Sequence, residues 1–189
     1  DALLSRGLGD VYKRQSLLNG FSGCMALISL FENNYEKTLM WILIGVFLDS
    51  IDGLFARALG ISSEIGKQLD SLCDVISFGV VPGYFMHKYL SDFLPYELVP
   101  LSLLAFVVTL ASIYRLARFN ITPSSQLDFQ GMPTPAFALF VIGIPFIPYE
   151  INPIIITVIV ALLSVLMVSK IMLPSQKFVK GCLLYTSPS

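Results

Sequence analysis

The chain has 189 residues, of which 55% are hydrophobic and only 13% charged, with a formal net charge of −1. Charge this sparse beside apolar runs this long excludes an ordinary soluble domain and indicates a membrane protein. No basic stripe interleaved with aromatics suggests nucleic acid, and Cys24, Cys73 and Cys182 lack the spacing of a zinc site or a disulfide framework.

In chain order, the opening DALLSRGLGDVYKRQ and the closing GCLLYTSPS read like translated adaptor sequence. Residues 1–15 and 181–189 are therefore expected to be non-native ends around a single membrane-embedded domain, 16–180. A helix crossing about 30 Å of hydrocarbon needs about 20 residues. Six apolar runs serve, the first of them short: 17–31, 38–58, 66–90, 97–117, 133–149 and 152–173. The connections are short and no internal repeat is visible. The expected fold is an all-α membrane protein, a bundle of about six transmembrane helices. Six crossings place Arg57, Lys67, Arg115, Arg118, Lys170, Lys177 and Lys180 on one side, against Lys37 and Lys88 on the other. That asymmetry puts the 57–67 and 115–131 loops in the cytoplasm.

The second and third runs carry acids where oil is expected, in DSIDGLFARALGISSEIGKQLDSLCD (49–74). Asp49 and Asp52 are spaced i, i+3, and Asp70 and Asp74 i, i+4, so each pair shares a helix face. Between them Gly60 is a helix stop and Ser62 or Ser63 an N-cap. Folding there sets the pairs at comparable depth, just inside the cytoplasmic interface. An ionised, unpaired carboxylate at membrane depth costs about 3 kcal/mol or more, so a cation must compensate. Arg57 offers one charge. Two divalent ions offer four, and oxygen-only ligands favour Mg²⁺, Mn²⁺ or Ca²⁺ over zinc. Such a pair is the clamp used in phosphoryl displacement. A divalent-cation or proton transporter is the rival reading. The bare strip made by Gly53, Ala56 and Gly66 favours a flat ligand lying against backbone, with Arg57 at its phosphates.

The full pattern, D-x2-D-G-x2-A-R-x8-G-x3-D-x3-D, is met by Asp49, Asp52, Gly53, Ala56, Arg57, Gly66, Asp70 and Asp74. It resembles the signature of the CDP-alcohol phosphotransferases. That resemblance implies a six-helix homodimer in the lipid bilayer with two divalent cations, Mg²⁺ or Mn²⁺. It also implies a CDP-linked lipid as donor and release of CMP. By the same resemblance Asp49, Asp52, Asp70 and Asp74 are metal ligands, and Asp74 is also the catalytic base on the acceptor hydroxyl. Asp52, Gly53, Ala56, Arg57, Ser63 and Gly66 would hold the CDP-lipid. Further stretches, LLNGFSGCMALI (17–28), SFGVVPGYF (77–85), RLARFNI (115–121) and FQGMPTPA (129–136), extend the resemblance over about 16–175. Within the family they are most similar to members that join CDP-diacylglycerol to L-serine. Glycerol 3-phosphate or inositol phosphate is the alternative acceptor. One departure is the family's Pro-Asn ahead of the first span, which is absent here.

Arg115 and Arg118, at i and i+3, either anchor a helix end at the interface or offer a guanidinium to the serine carboxylate, with Asn120 adding a hydrogen bond. Pro133 and Pro135 are expected to start the fifth helix. His87 is expected to be solvated near the far interface, Trp41 and Tyr89 to anchor there, and Cys73 to pack.

Overall fold

A chain this apolar must satisfy its backbone polar groups within its own segments, and helices do so. The structure, a computed structural model, describes residues 2–59, 64–121, 131–149 and 151–169; for residues 2–13, 52, 55–59, 64 and 97 only the backbone is described. Among the described residues there is no strand. The helices are α1 (Ala2–Phe31), α2 (Tyr35–Leu59), α3 (Glu64–Asp74), α4 (Val81–Phe93), α5 (Val107–Ile121), α6 (Thr134–Gly143) and α7 (Pro153–Val168). A π-helical segment, Val75–Val80, joins α3 to α4 in one rod. A 3-10 segment, Tyr96–Phe106, leads into α5, and a short 3-10 turn, Ile144–Phe146, extends α6.

A helical rod thus stands at each of the six expected places, with differences that have local causes. The first helix begins at Ala2 rather than at 17. The third rod is widened ahead of Pro82, which has no N–H to give and whose ring crowds the preceding turn. The fourth rod is 3-10 over its first half, where Pro100 sits. The fifth and sixth are shorter than the apolar runs that contain them. Ile65–Phe93 and Leu98–Ile121, of 29 and 24 residues, are long and apolar enough to cross a bilayer.

The caps follow side-chain chemistry. Asn33 takes a left-handed φ of 59° after α1, which an amide side chain tolerates. Asn34 Oδ1 accepts from Lys37 N at 3.0 Å, and Asn152 Oδ1 from Ile154 N at 2.9 Å, satisfying first-turn donors of α2 and α7. Pro133 caps α6 and Pro135 lies in its first turn, as their sequence position suggests.

The buried centre is apolar and drawn from all the rods, through residues such as Leu30, Ile42, Phe78, Val108, Phe137 and Val160. Large apolar side chains also cover the outside: Phe47 on α2, Leu110 on α5, and Leu162 and Val165 on α7 are all well exposed. An exterior this apolar suits lipid rather than water. Around the site, α1 lies so close to the third rod that a Cβ on Gly23 would meet Ser77 Cα at 2.8 Å. Only glycine permits that approach.

Candidate active site

Asp49 on α2 is half-buried, while on α3 Asp70 is half-buried and Asp74 buried. One carboxylate oxygen from each lies within 4.8 Å of the other two, which makes the trio a group able to hold a metal ion. The i, i+4 spacing brings Asp74 one turn after Asp70, and α1, packed against both α2 and α3, holds Asp49 within reach of both. Three carboxylates this close repel one another, and Asp49 and Asp70 interact directly. Oxygen-only ligands in apolar surroundings fit a hard divalent cation.

Two neighbours join the trio from other helices. Asn19 of α1 is fully buried and its Nδ2 donates to Asp74 Oδ1 at 2.8 Å. Arg115 of α5 is within electrostatic reach of Asp74, and its buried Nε has no hydrogen-bond partner among the described residues. The main chain after Asp74 is tied on both flanks. Ser77 Oγ donates to the Asn19 carbonyl at 2.9 Å, and Thr109 Oγ1 of α5 donates to the Gly79 carbonyl at 3.0 Å. A π segment leaves carbonyls off the regular ladder, and such segments recur at functional sites.

The other residues singled out from sequence have separate placements. Gly53 lies on α2, between Asp49 and the helix end, and Gly66 is buried on α3. Asp52, Ala56 and Arg57 belong to the backbone of α2, with side chains outside the described set, and Gly60, Ser62 and Ser63 lie outside the described residues altogether. Arg118 donates through a terminal nitrogen to the Val168 carbonyl at 3.5 Å, at the end of α7. Asn120 Nδ2 donates to Ser71 Oγ at 2.9 Å, and its main-chain carbonyl accepts from Lys67 Nζ at 2.9 Å. Arg118 thus reaches the end of α7, while Arg115, one turn before it, lies within electrostatic reach of Asp74.

Sequence reasoning passed over Asn19, Ser77 and Thr109. For Asn19 the signal was present: an amide inside an apolar run must find a polar partner at membrane depth. His87 differs from expectation as well. Its Nδ1 is 2.8 Å from the buried Ser102 Oγ and its ring lies 5.5 Å from that of Phe106, so it is paired rather than solvated. Cys73 is buried, as expected of a packing residue.

A model of the family described as CDP-alcohol phosphatidyltransferase matches residues 15–179. The chain is 35% identical over 159 residues to the CDP-diacylglycerol–serine O-phosphatidyltransferase of Bacillus subtilis, covering 84% of this chain and 86% of that one. It is 33% identical over 161 residues to the enzyme of the same name from Methanocaldococcus jannaschii, covering 84% and 71%. An archaetidylserine synthase from Methanothermobacter thermautotrophicus is 33% identical over 126 residues, covering 66% of this chain and 52% of its own length. With the family model spanning the helices that assemble the carboxylate trio, the chain belongs to the CDP-alcohol phosphatidyltransferase family.

Proposed function

We propose that this chain is a membrane-embedded transferase that moves the phosphatidyl group of CDP-diacylglycerol to the hydroxyl of L-serine, giving phosphatidylserine and CMP. The observation that carries the reading is the trio Asp49, Asp70 and Asp74, with one oxygen each within 4.8 Å, set against Arg115. Support for serine comes from the relatives, whose names differ in the lipid and share serine.

In this reading Asp49, Asp52, Asp70 and Asp74 hold two divalent cations, Mg²⁺ or Mn²⁺. When bound, these would neutralise charge on the diphosphate and on the departing CMP. Gly53, Ala56, Ser63 and Gly66 give the nucleotide room, and Arg57 grips the diphosphate. Asp74 takes the proton of the serine hydroxyl. The serine oxygen bonds to the phosphorus bearing diacylglycerol as the bond from that phosphorus to CMP breaks. An alcohol is a weak nucleophile until its proton has an acceptor, and a positioned carboxylate supplies one. Arg115 pairs with the serine carboxylate, for which a guanidinium fork is suited. Of the three residues expected to meet the acceptor, the serine carboxylate is assigned to Arg115, set against Asp74, while Arg118 also bonds Val168 and Asn120 bonds Ser71. The domain is 16–180, it works as a homodimer in the cell membrane of a bacterium or archaeon, and the site opens to the cytoplasm.

The test is an acceptor screen with purified protein and CDP-diacylglycerol, measuring CMP release with serine, glycerol 3-phosphate and inositol phosphate. Release with serine alone is expected. Release with a phosphorylated acceptor instead would reassign the substrate. Ion flux through proteoliposomes without CMP formation would replace the enzyme by a transporter.

A further inference from the structure

Asn19 stands where α1 meets α2, α3 and the π segment. Its side chain is 0% exposed. Its carbonyl accepts two hydroxyls, Ser22 Oγ at 2.7 Å and Ser77 Oγ at 2.9 Å. Its Nδ2 donates to Asp74 Oδ1 at 2.8 Å, while Oδ1 is buried without a hydrogen-bond partner among the described residues. That oxygen faces Gly45 of α2, where a Cβ would come within 3.0 Å of it.

A buried acceptor left unmatched costs about 1–3 kcal/mol. Turning the amide over gives no relief, since it would set oxygen against a carboxylate oxygen of Asp74. An apolar residue here would avoid that cost but take the donor from a buried carboxylate oxygen of Asp74. The amide thus has one unmatched end and one end committed to a site carboxylate. That donor acts on the orientation of Asp74. The terminal torsion of an aspartate is broad and two-fold, so packing alone selects its orientation poorly, whereas a charge-assisted hydrogen bond to one oxygen selects it well.

We propose that Asn19 is a positioning residue of the carboxylate trio: by holding Asp74 Oδ1 it favours the orientation in which Asp74 reaches Asp49 and Asp70. The inference rests on the transferase reading for its catalytic consequence, but its effect on cation binding can be read without turnover. Partners that orient metal ligands typically contribute roughly 10- to 100-fold to metal affinity or activity.

The experiment uses the purified full chain in lipid nanodiscs, with Mn²⁺ as the probe, free Mn²⁺ followed by electron paramagnetic resonance, and CMP release measured in parallel. Asn19→Ala is expected to weaken Mn²⁺ binding and lower kcat by about 10-fold or more each. Ser22→Ala, which removes one hydroxyl from the Asn19 carbonyl and leaves the amide alone, is expected to bind Mn²⁺ like the wild type. If Asn19→Ala yields no monodisperse protein, Asn19→Leu carries the test, because it keeps the branched shape and removes the donor. Wild-type Mn²⁺ affinity in a folded Asn19 variant overturns the assignment. A wild-type chain that binds Mn²⁺ but releases no CMP overturns the transferase reading instead, and the titration still decides on Asn19.

Discussion

Two clusters of polar side chains are sunk into this apolar bundle, and they differ in how completely they are satisfied. Between α4 and the 3-10 segment, Ser102 Oγ lies 2.8 Å from His87 Nδ1 and 2.6 Å from the Val99 carbonyl. Ser91 Oγ reaches Ser102 Oγ at 2.9 Å and the His87 carbonyl at 2.8 Å. Each group there closes on another or on main chain, and the cluster ties two rods together. Around Asp74 the pattern is the reverse. Asn19 Oδ1 and Arg115 Nε are buried without hydrogen-bond partners among the described residues, and three carboxylates face one another. A satisfied network is a fastening; one with unmatched groups is built for something that completes it.

The sharpest way to break that contrast is to remove what would complete the second cluster. Chelation with EDTA should abolish CMP release, and Mg²⁺ or Mn²⁺ should restore it. Full activity in EDTA would leave the carboxylates as bundle fasteners too. Next in size, Asp74→Asn should lower kcat by roughly 10²–10⁴-fold while CDP-diacylglycerol still binds, because a base is needed only as the proton leaves. Asp49→Asn and Asp70→Asn should weaken Mn²⁺ binding along with turnover. Equal losses of lipid binding in all three variants would erase the distinction between base and ligand.

The placement of six rods and the meeting of Asp49 with Asp70 and Asp74 were legible in the sequence, because apolar length and i, i+3 or i, i+4 spacing are local properties. What was not legible depends on contacts between distant segments. Asn19 and Asp74 are 55 positions apart, and only the closeness of α1 to the third rod makes them partners. Arg115 and Arg118 looked equivalent at a helix end. Their difference comes from α7, whose final carbonyl takes Arg118. The widening at Val75–Val80 could have been suspected from Pro82 in mid-rod, but not the hydroxyls of Ser77 and Thr109 that tie it down.

Arg115 sharpens the comparison at intermediate size. Removing one partner of a desolvated ionic hydrogen bond costs about 2–5 kcal/mol, which is roughly 30- to several-thousand-fold. Arg115→Ala should raise the serine KM by an amount in that range, with CDP-diacylglycerol binding little changed. Arg115→Lys should recover part of the loss, since Lys lacks the planar fork. Arg118→Ala should leave the serine KM near wild type and show itself in thermal stability. Steady-state kinetics on the three variants decides it, and a serine KM that follows Arg118 rather than Arg115 would reverse the assignment.

The smallest effect on turnover is expected at the satisfied cluster, and its smallness is the point. Ser102 is 0% exposed and is the shared partner of His87 and Ser91. Ser102→Ala removes the hydroxyl and leaves His87 Nδ1 to find a new partner in a partly buried setting, while the Ser91 hydroxyl keeps the His87 carbonyl. An unmatched buried polar group costs about 1–3 kcal/mol, so the melting temperature in detergent should fall measurably. The 3-10 segment is fastened to α4 through this residue, so added amide exchange should appear first over Tyr96–Phe106. CMP release at a temperature where the variant is folded should match wild type, because the hydrogen bonds of this cluster run between α4 and the 3-10 segment. A Ser102→Ala protein that keeps its stability but loses turnover would show that His87 and Ser102 belong to the chemistry, and that completeness of hydrogen bonding does not separate fastening from function in this bundle.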